Sequence, residues 1–211
     1  MKRMNRWKIA SESEKEFWSK CKRIGNTKEF WYEYFKNFGI DFSFFYGRKV
    51  LDVGCGPCGA IQFVERASLA IGVDPIIMDG GFPAVISVGE ALPFVGKLFD
   101  VVICFNVLDH VIDHEKMIRE ISRTLVLGGL LFLSTHVFPR YLGKVLDATS
   151  GYVDKPHPYH FSSSEVKLLL EMNGLSIVRS KISEIDANGI KAKLGRLLRV
   201  KKICIIAKKR T

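Results

Sequence analysis

Hydrophobic and polar positions change their period along this chain, and the changes divide it into segments. Before residue 40 the spacing is helical. Ser13 and Glu16 have the separation of a capping box ahead of Phe17 and Trp18, and Thr27 stands where it caps a second helix whose Phe30, Tyr34 and Phe38 recur until Gly39. From residue 48 onward, short apolar runs alternate with helical stretches. They predict strands near 49–53, 69–73, 84–88, 99–105 and 129–135, with helices near 60–67 and 113–125. A loop rich in His and Pro follows. After it come a helix opened by Ser162 with Glu165 and closed near Gly174, a strand near 175–182, a basic helix near 189–199 and a last strand near 202–208. Such alternation predicts an α/β fold: a mostly parallel sheet with helices on both faces.

Length and composition narrow the picture. At 211 residues, 47% hydrophobic and 26% charged, the chain has the make-up of one globular core-bearing domain with modest additions. No apolar run reaches the roughly 18–20 residues of a membrane span, and the first residues lead into no secretory-type apolar stretch, so a cytoplasmic protein is expected. The five cysteines Cys21, Cys55, Cys58, Cys104 and Cys204 are an odd number without a dense framework, as in a reducing compartment. Thirteen of the 24 aromatic residues precede residue 50, which either buries the N-terminal helices against the domain or makes them a lid over a cleft. The division expected is a helical extension over 1–47 and the main domain over 48–211.

Charge is distributed unevenly. Residues 1–49 carry 12 basic and 6 acidic side chains, 50–178 carry 9 and 14, and 179–211 carry 11 and 2, within a formal net charge of +10. Basic ends of this kind suit nucleic acid, anionic lipid or a phosphorylated substrate, and equally a solvated surface. In the segment 188–202, Ile190, Leu194, Leu197 and Leu198 share one helical face while Lys191, Lys193, Arg196 and Arg199 lie elsewhere, so an anionic lipid surface is one partner to weigh. No zinc-finger or RRM signature accompanies the charge, which makes nucleic acid a weaker expectation.

The stretch Val50-Leu51-Asp52-Val53-Gly54-Cys55-Gly56-Pro57-Cys58-Gly59 is the most informative in the chain. Gly54, Gly56 and Gly59 match GxGxxG between a strand and a helix, and Asp74 closes the next strand, where a carboxylate accepts hydrogen bonds from ribose hydroxyls. The pattern alone allows NAD. Asp52 argues against it, because a carboxylate two residues before the first glycine sits near the place where a pyrophosphate would lie. A cationic, phosphate-free nucleotide-like ligand suits the site better, and S-adenosylmethionine is one. Cys55 and Cys58 also spell CxxC, but no second Cys pair or Cys/His pair at finger spacing completes a metal site, so no metal is expected.

With these residues in place, residues 48–208 resemble the class I S-adenosylmethionine-dependent methyltransferases. VLDVGCGPCG looks like their first motif and IGVDP at 71–75 like the ribose-binding second strand. GEALPF at 89–94, FDVVICFNVLDHV at 99–111 and LVLGGLLFLST at 125–135 look like the third, fourth and fifth strand regions. The resemblance implies a Rossmann-like, seven-stranded, mostly parallel sheet with an N-terminal helical extension. It implies that S-adenosylmethionine is the cofactor and that Asp52, Gly54, Cys55, Gly56, Asp74, Pro75, Glu90, Ala91, Phe105 and Asn106 contact it. Cys58, where many members have a glycine, is a departure that tightens the loop.

Ligands of open parallel sheets lie beyond the C-terminal strand ends, which here gathers Asn106–His110, Ser134–Val137 and the loop 151–161 around the transferred methyl group. His110 fits the family's frequent His after the fourth strand, either as a loop-fixing or as a catalytic residue. Methyl transfer needs alignment and desolvation, and a base only for a protonated acceptor. His157, His160 and His136 are the candidate catalytic residues for that step, with a structural hydrogen bond as the alternative role for His160. The pattern Asn/Asp-Pro-Pro-Tyr/Phe is replaced by Phe105-Asn106-Val107-Leu108, which disfavours methylation of DNA bases. The expected activity is methyl transfer to a small-molecule, lipid or glycan acceptor. Its alternatives are an RNA or protein methyltransferase docking through its basic ends and a cofactor-binding module without catalysis.

Overall fold

The structure, a computed structural model, describes residues 2–20, 27–76, 81–149, 157–184 and 197–210. Seven strands form one sheet: β1 (Lys49–Val53), β2 (Leu69–Asp74), β3 (Ala84–Ile86), β4 (Phe99–Phe105), β5 (Leu125–Val137), β6 (Leu175–Ser183) and β7 (Lys201–Lys209). Their order is β3-β2-β1-β4-β5-β7-β6. Pairings from β3 to β5 are parallel, and β7 runs antiparallel to both β5 and β6. The order reverses between β1 and β4, so the strand ends beside that point open into a crevice where α/β sheets hold ligands.

Period-two alternation sends neighbouring residues of each strand to opposite faces. Leu51, Val53, Val102, Cys104, Leu131 and Leu133 face the helices α3 (His114–Thr124) and α5 (Ser163–Met172), burying Met117, Ile118, Ile121, Val166 and Leu170. The other face presents Val50, Val101, Ile103, Phe105 and Phe132. Against it pack α2 (Lys28–Lys36), through Tyr34 and Phe35, and the residues after it, through Phe38, Phe42 and Phe45. Tyr34, Phe35, Phe38, Phe42 and Phe45 are therefore core. They form edge-to-face and stacked pairs with the strand residues, such as Phe38 with Phe105 at 5.1 Å and Phe38 with Phe132 at 5.4 Å between centroids.

Local signals set several boundaries. Thr27 accepts a hydrogen bond from the Phe30 amide, and Ser162 and Glu165 form a reciprocal capping box. Asp113 caps α3 by accepting from the Lys116 amide. Other expectations need correction. Helix α1 (Lys2–Lys20) runs unbroken through Ser13 and Glu16, because no glycine or proline interrupts the polar stretch there, so Ser13 starts nothing. The helix expected near 60–67 is replaced by two single 3-10 turns, Gly56–Cys58 and Ala60–Phe63. There the Gln62 and Val64 amides donate three residues back, to Gly59 and Ile61, and the Ile61 amide donates to Asp52 Oδ2 at 3.2 Å. Strand β5 begins at Leu125, four residues early, with a register shift opposite Phe99 and Val101. An unforeseen helix, α4 (Arg140–Thr149), precedes the His- and Pro-rich segment. Residues 185–196, which hold most of the expected basic helix, lie outside the described residues. Among the described residues no helix is long and apolar enough to cross a membrane.

Candidate functional site

Beyond the ends of β1, β2 and β4 lies a cavity of about 260 Å3, on the scale of one metabolite-sized ligand. Its floor is the glycine loop. Gly54 has φ +74°, and a Cβ there would come within 2.2 Å of Val107, so backbone alone fits between β1 and the residues after β4. The amides of Gly54 and Cys55 both donate to the Val73 carbonyl, at 2.7 and 3.2 Å, which ties the loop to β2. Asp74 at the end of β2 accepts from the Gly56 amide at 2.9 Å and from the Ile76 amide at 2.7 Å. Burial pushes its carboxyl above the usual range, against the lowering by these amides.

The roof comes from the N-terminal helices. Trp7, Ala10, Ser11 and Glu14 of α1, with Phe30, Trp31 and Tyr34 of α2, line the cavity. Trp31 donates from its indole N–H to the Cys58 carbonyl at 3.2 Å, and its ring stacks on Phe105 at 6.1 Å. The aromatic helix thus serves as wall and cover at once. Sequence spacing marked Phe30 and Tyr34 as helical and apolar, but which face they turned to the cleft depended on contacts as far as a hundred residues away.

Of the residues expected around the cofactor, Gly54, Cys55, Gly56, Asp74, Pro75, Glu90, Phe105 and Asn106 line this cavity. Two do not. Asp52 is buried beneath the glycine loop, accepting from Ile61, and Ala91 is exposed with its amide donating to Val88. Burial, with Asp74 close by, raises the Asp52 carboxyl to about 7. Glu90 accepts from the Ile112 and Asp113 amides at 2.7 and 3.2 Å, so it also sets the entry of α3. Cys55 and Cys58 are free thiols whose pKa values burial pushes up, which keeps them protonated and makes them poor nucleophiles. Asn106, with φ +56°, donates to the Tyr34 hydroxyl at 3.3 Å, and that hydroxyl shares a 2.7 Å hydrogen bond with Ser134 on β5. Lys202 of β7 places its ammonium 3.4 Å from the centre of the Tyr34 ring.

The histidines divide. His160 has a fully buried side chain whose Nδ1 lies 3.0 Å from Asp147 of α4 and whose ring meets Phe138 edge-on. It lies off the cavity lining, in a position that fastens α4 to the segment before α5. Gly143 in α4 allows this approach, since a Cβ there would lie 2.5 Å from the His160 carbonyl oxygen. His136, on β5, pairs with Lys202 across the strands, and burial pushes its pKa down. His157 does not line the cavity, but its ring lies 4.9 Å from that of His110, which does. Asp109, which spacing did not single out, is buried beside them. Burial works to raise its carboxyl, but His110, His157 and His136 outweigh that and hold it below the usual range.

Comparison with known proteins identifies the family and agrees with the fold. A family model described as a methyltransferase domain matches residues 27–180. A tRNA U34 carboxymethyltransferase from Hydrogenovibrio crunogenus is 32% identical over 167 residues, covering 69% of this chain and 49% of that protein. The human mitochondrial ubiquinone biosynthesis O-methyltransferase is 26% identical over 159 residues, covering 62% and 42%. The chain thus spans about half or less of the length of these two relatives. The crystal structure of the YcgJ protein from Bacillus subtilis shares the fold with a TM-score of 0.64 at 20% identity, covering 81% of this chain and 96% of that one. With the family model matching most of its length, the chain belongs to the class I S-adenosylmethionine-dependent methyltransferases.

Proposed function

We propose that the cavity binds S-adenosylmethionine and that the chain transfers the methyl group to a small-molecule, lipid or glycan acceptor. The observation that carries this reading is the charge of the lining. Glu14, Asp74 and Glu90 face the cavity, and no lysine or arginine does among the described residues. A phosphate-bearing dinucleotide meets no counter-charge there, whereas a ligand with sulfonium and ammonium groups and ribose hydroxyls is matched. S-adenosylmethionine brings an activated methyl group on a good leaving group, so the protein's part is alignment and exclusion of water.

In this reading Asp74 accepts from the ribose with the lone pairs its two backbone bonds leave over. The backbone of Gly54–Gly56 approaches the ligand closely, and Glu90 with Phe105 borders the adenine end. Helices α1 and α2 exclude water from above, residues 1–47 acting as lid and wall for the domain over 48–211. The acceptor enters past Asn106, Tyr34 and His110, with His157 and His136 behind, while His160 keeps the surrounding chain in place. The buried cysteines Cys55, Cys58, Cys104 and Cys204 form no disulfide among the described residues, which favours a reducing compartment such as the cytoplasm. An RNA acceptor is the second reading, supported by the +10 net charge and by the tRNA-directed name of one relative. Salt-sensitive retention of the protein on RNA would favour it.

Isothermal calorimetry tests the reading directly. S-adenosylmethionine and its demethylated product are expected to bind and NAD to show no heat. Asp74→Ala is expected to weaken binding about tenfold or more, because it removes the ribose acceptor and frees the Gly56 amide. NAD bound in place of S-adenosylmethionine would overturn the proposal.

A further inference from the structure

At the acceptor end of the cavity three ligand-bearing side chains converge from two separate parts of the chain. Asp109 and His110 follow β4, and His157 comes from the segment before α5. One donor atom from each lies within 4.8 Å of the other two. Asp109 is 3% exposed, its Oδ1 makes no hydrogen bond among the described residues, and that oxygen lies 3.9 Å from His110 Nε2. A buried carboxylate oxygen without a hydrogen bond is costly unless something positive completes it. The ring nitrogens beside it are the groups that transition metals accept together with a carboxylate.

We propose that Asp109, His110 and His157 form a binding site for a divalent transition-metal ion of the zinc class. Two imidazole nitrogens and one carboxylate oxygen make a three-ligand set, which leaves a coordination position open towards the cavity that His110 lines. A tetrahedral ion with bonds of about 2.0–2.1 Å spaces its donors about 3.3 Å apart, so binding draws the three groups closer than they stand. The other ring nitrogen, His110 Nδ1, makes no hydrogen bond among the described residues, and Glu14 of α1 is the nearest carboxylate to it among those residues, at 3.8 Å. The inference goes beyond methyl transfer and does not depend on the cofactor assignment.

The test uses the full chain without an affinity tag, stripped with chelator and titrated with cobalt(II) alone and then zinc(II). Expected are one ion per chain, visible absorption bands of imidazole-bound cobalt that zinc abolishes, and a melting temperature raised by metal. His157→Gln and Asp109→Asn should each lower cobalt affinity at least about tenfold and lose the metal-dependent rise in melting temperature. His114→Gln, outside the cluster, should leave affinity unchanged. Melting of each variant in chelator separates loss of the site from loss of the fold, and His157→Gln, at a half-exposed position, keeps the test open should Asp109→Asn fail to fold. Failure of the unmodified protein to take up either ion, or equal uptake by both cluster variants, would overturn the proposal. Calorimetry with S-adenosylmethionine on the same metal-free preparation reports on the cofactor reading separately.

Discussion

Asp52 holds its carboxyl where water does not reach, with two backbone amides as its compensation and a second carboxyl nearby. Its pKa of about 7 in the folded chain lies well above the roughly 4 of an unfolded aspartate. Below pH 4 the residue is protonated in both states and contributes no pH dependence. Between about 4 and 7 the folded chain keeps a proton that the unfolded chain has released, so stability from this residue falls as pH rises, by up to about 1.4 kcal/mol per unit, and levels off above 7. Asn keeps the oxygen that Ile61 needs and cannot ionise. The difference in unfolding free energy between Asp52→Asn and the unmodified protein, followed by urea titration from pH 4.5 to 8, is therefore expected to move in the variant's favour across that window. A difference independent of pH would show Asp52 to be ordinary. The same residue illustrates what spacing can miss: a carboxylate two places before a glycine was visible, but that it points under the loop instead of into the cavity depends on Ile61.

Helix α5 is the element whose start is best specified locally. Ser162 Oγ accepts from the Glu165 amide at 3.3 Å, and Glu165 accepts from the Ser162 amide at 2.8 Å. Ser162→Ala removes half of that exchange and should cost about 1 kcal/mol, seen as a lower urea midpoint with an unchanged denaturant slope. Elements governed by such nearby contacts were legible: α2 from Thr27, α5 from its capping box, and every strand from an apolar run. Those decided at a distance were not. Helix α4 carries Gly143 in its interior, a poor helical signal, and only the approach of the His160 carbonyl accounts for it. Leu142 and Leu146, four apart, were the one local hint. In the candidate site the glycine loop and Asp74 could be read because the motif is contiguous. Asp109 lay inside the stretch Asn106–His110 but its burial beside His110 was not legible, and Glu14 could not be read at all, since it reaches His110 only through the fold.

For the molecule as a whole, the wall formed by residues 28–45 closes one face of the sheet. Phe35 is fully buried, with Phe42, Phe45 and Phe105 rings between 5.1 and 5.8 Å away. Phe35→Ala leaves a cavity that these rings cannot all collapse into, and should cost about 3–5 kcal/mol by urea denaturation. A loss under 1 kcal/mol would mean that the aromatic segment covers the sheet without holding it. That segment is made before every strand it packs against. The Tyr34 hydroxyl meets Ser134 across 100 residues of sequence, and Phe38 meets Phe132. At a synthesis rate of about 5–20 residues per second, the early aromatics wait roughly 5–20 s before β5 exists to receive them. During that interval the phenylalanines of a nascent chain can pack on one another and on β1, but the face that Phe132 completes stays open until the ribosome has passed β5.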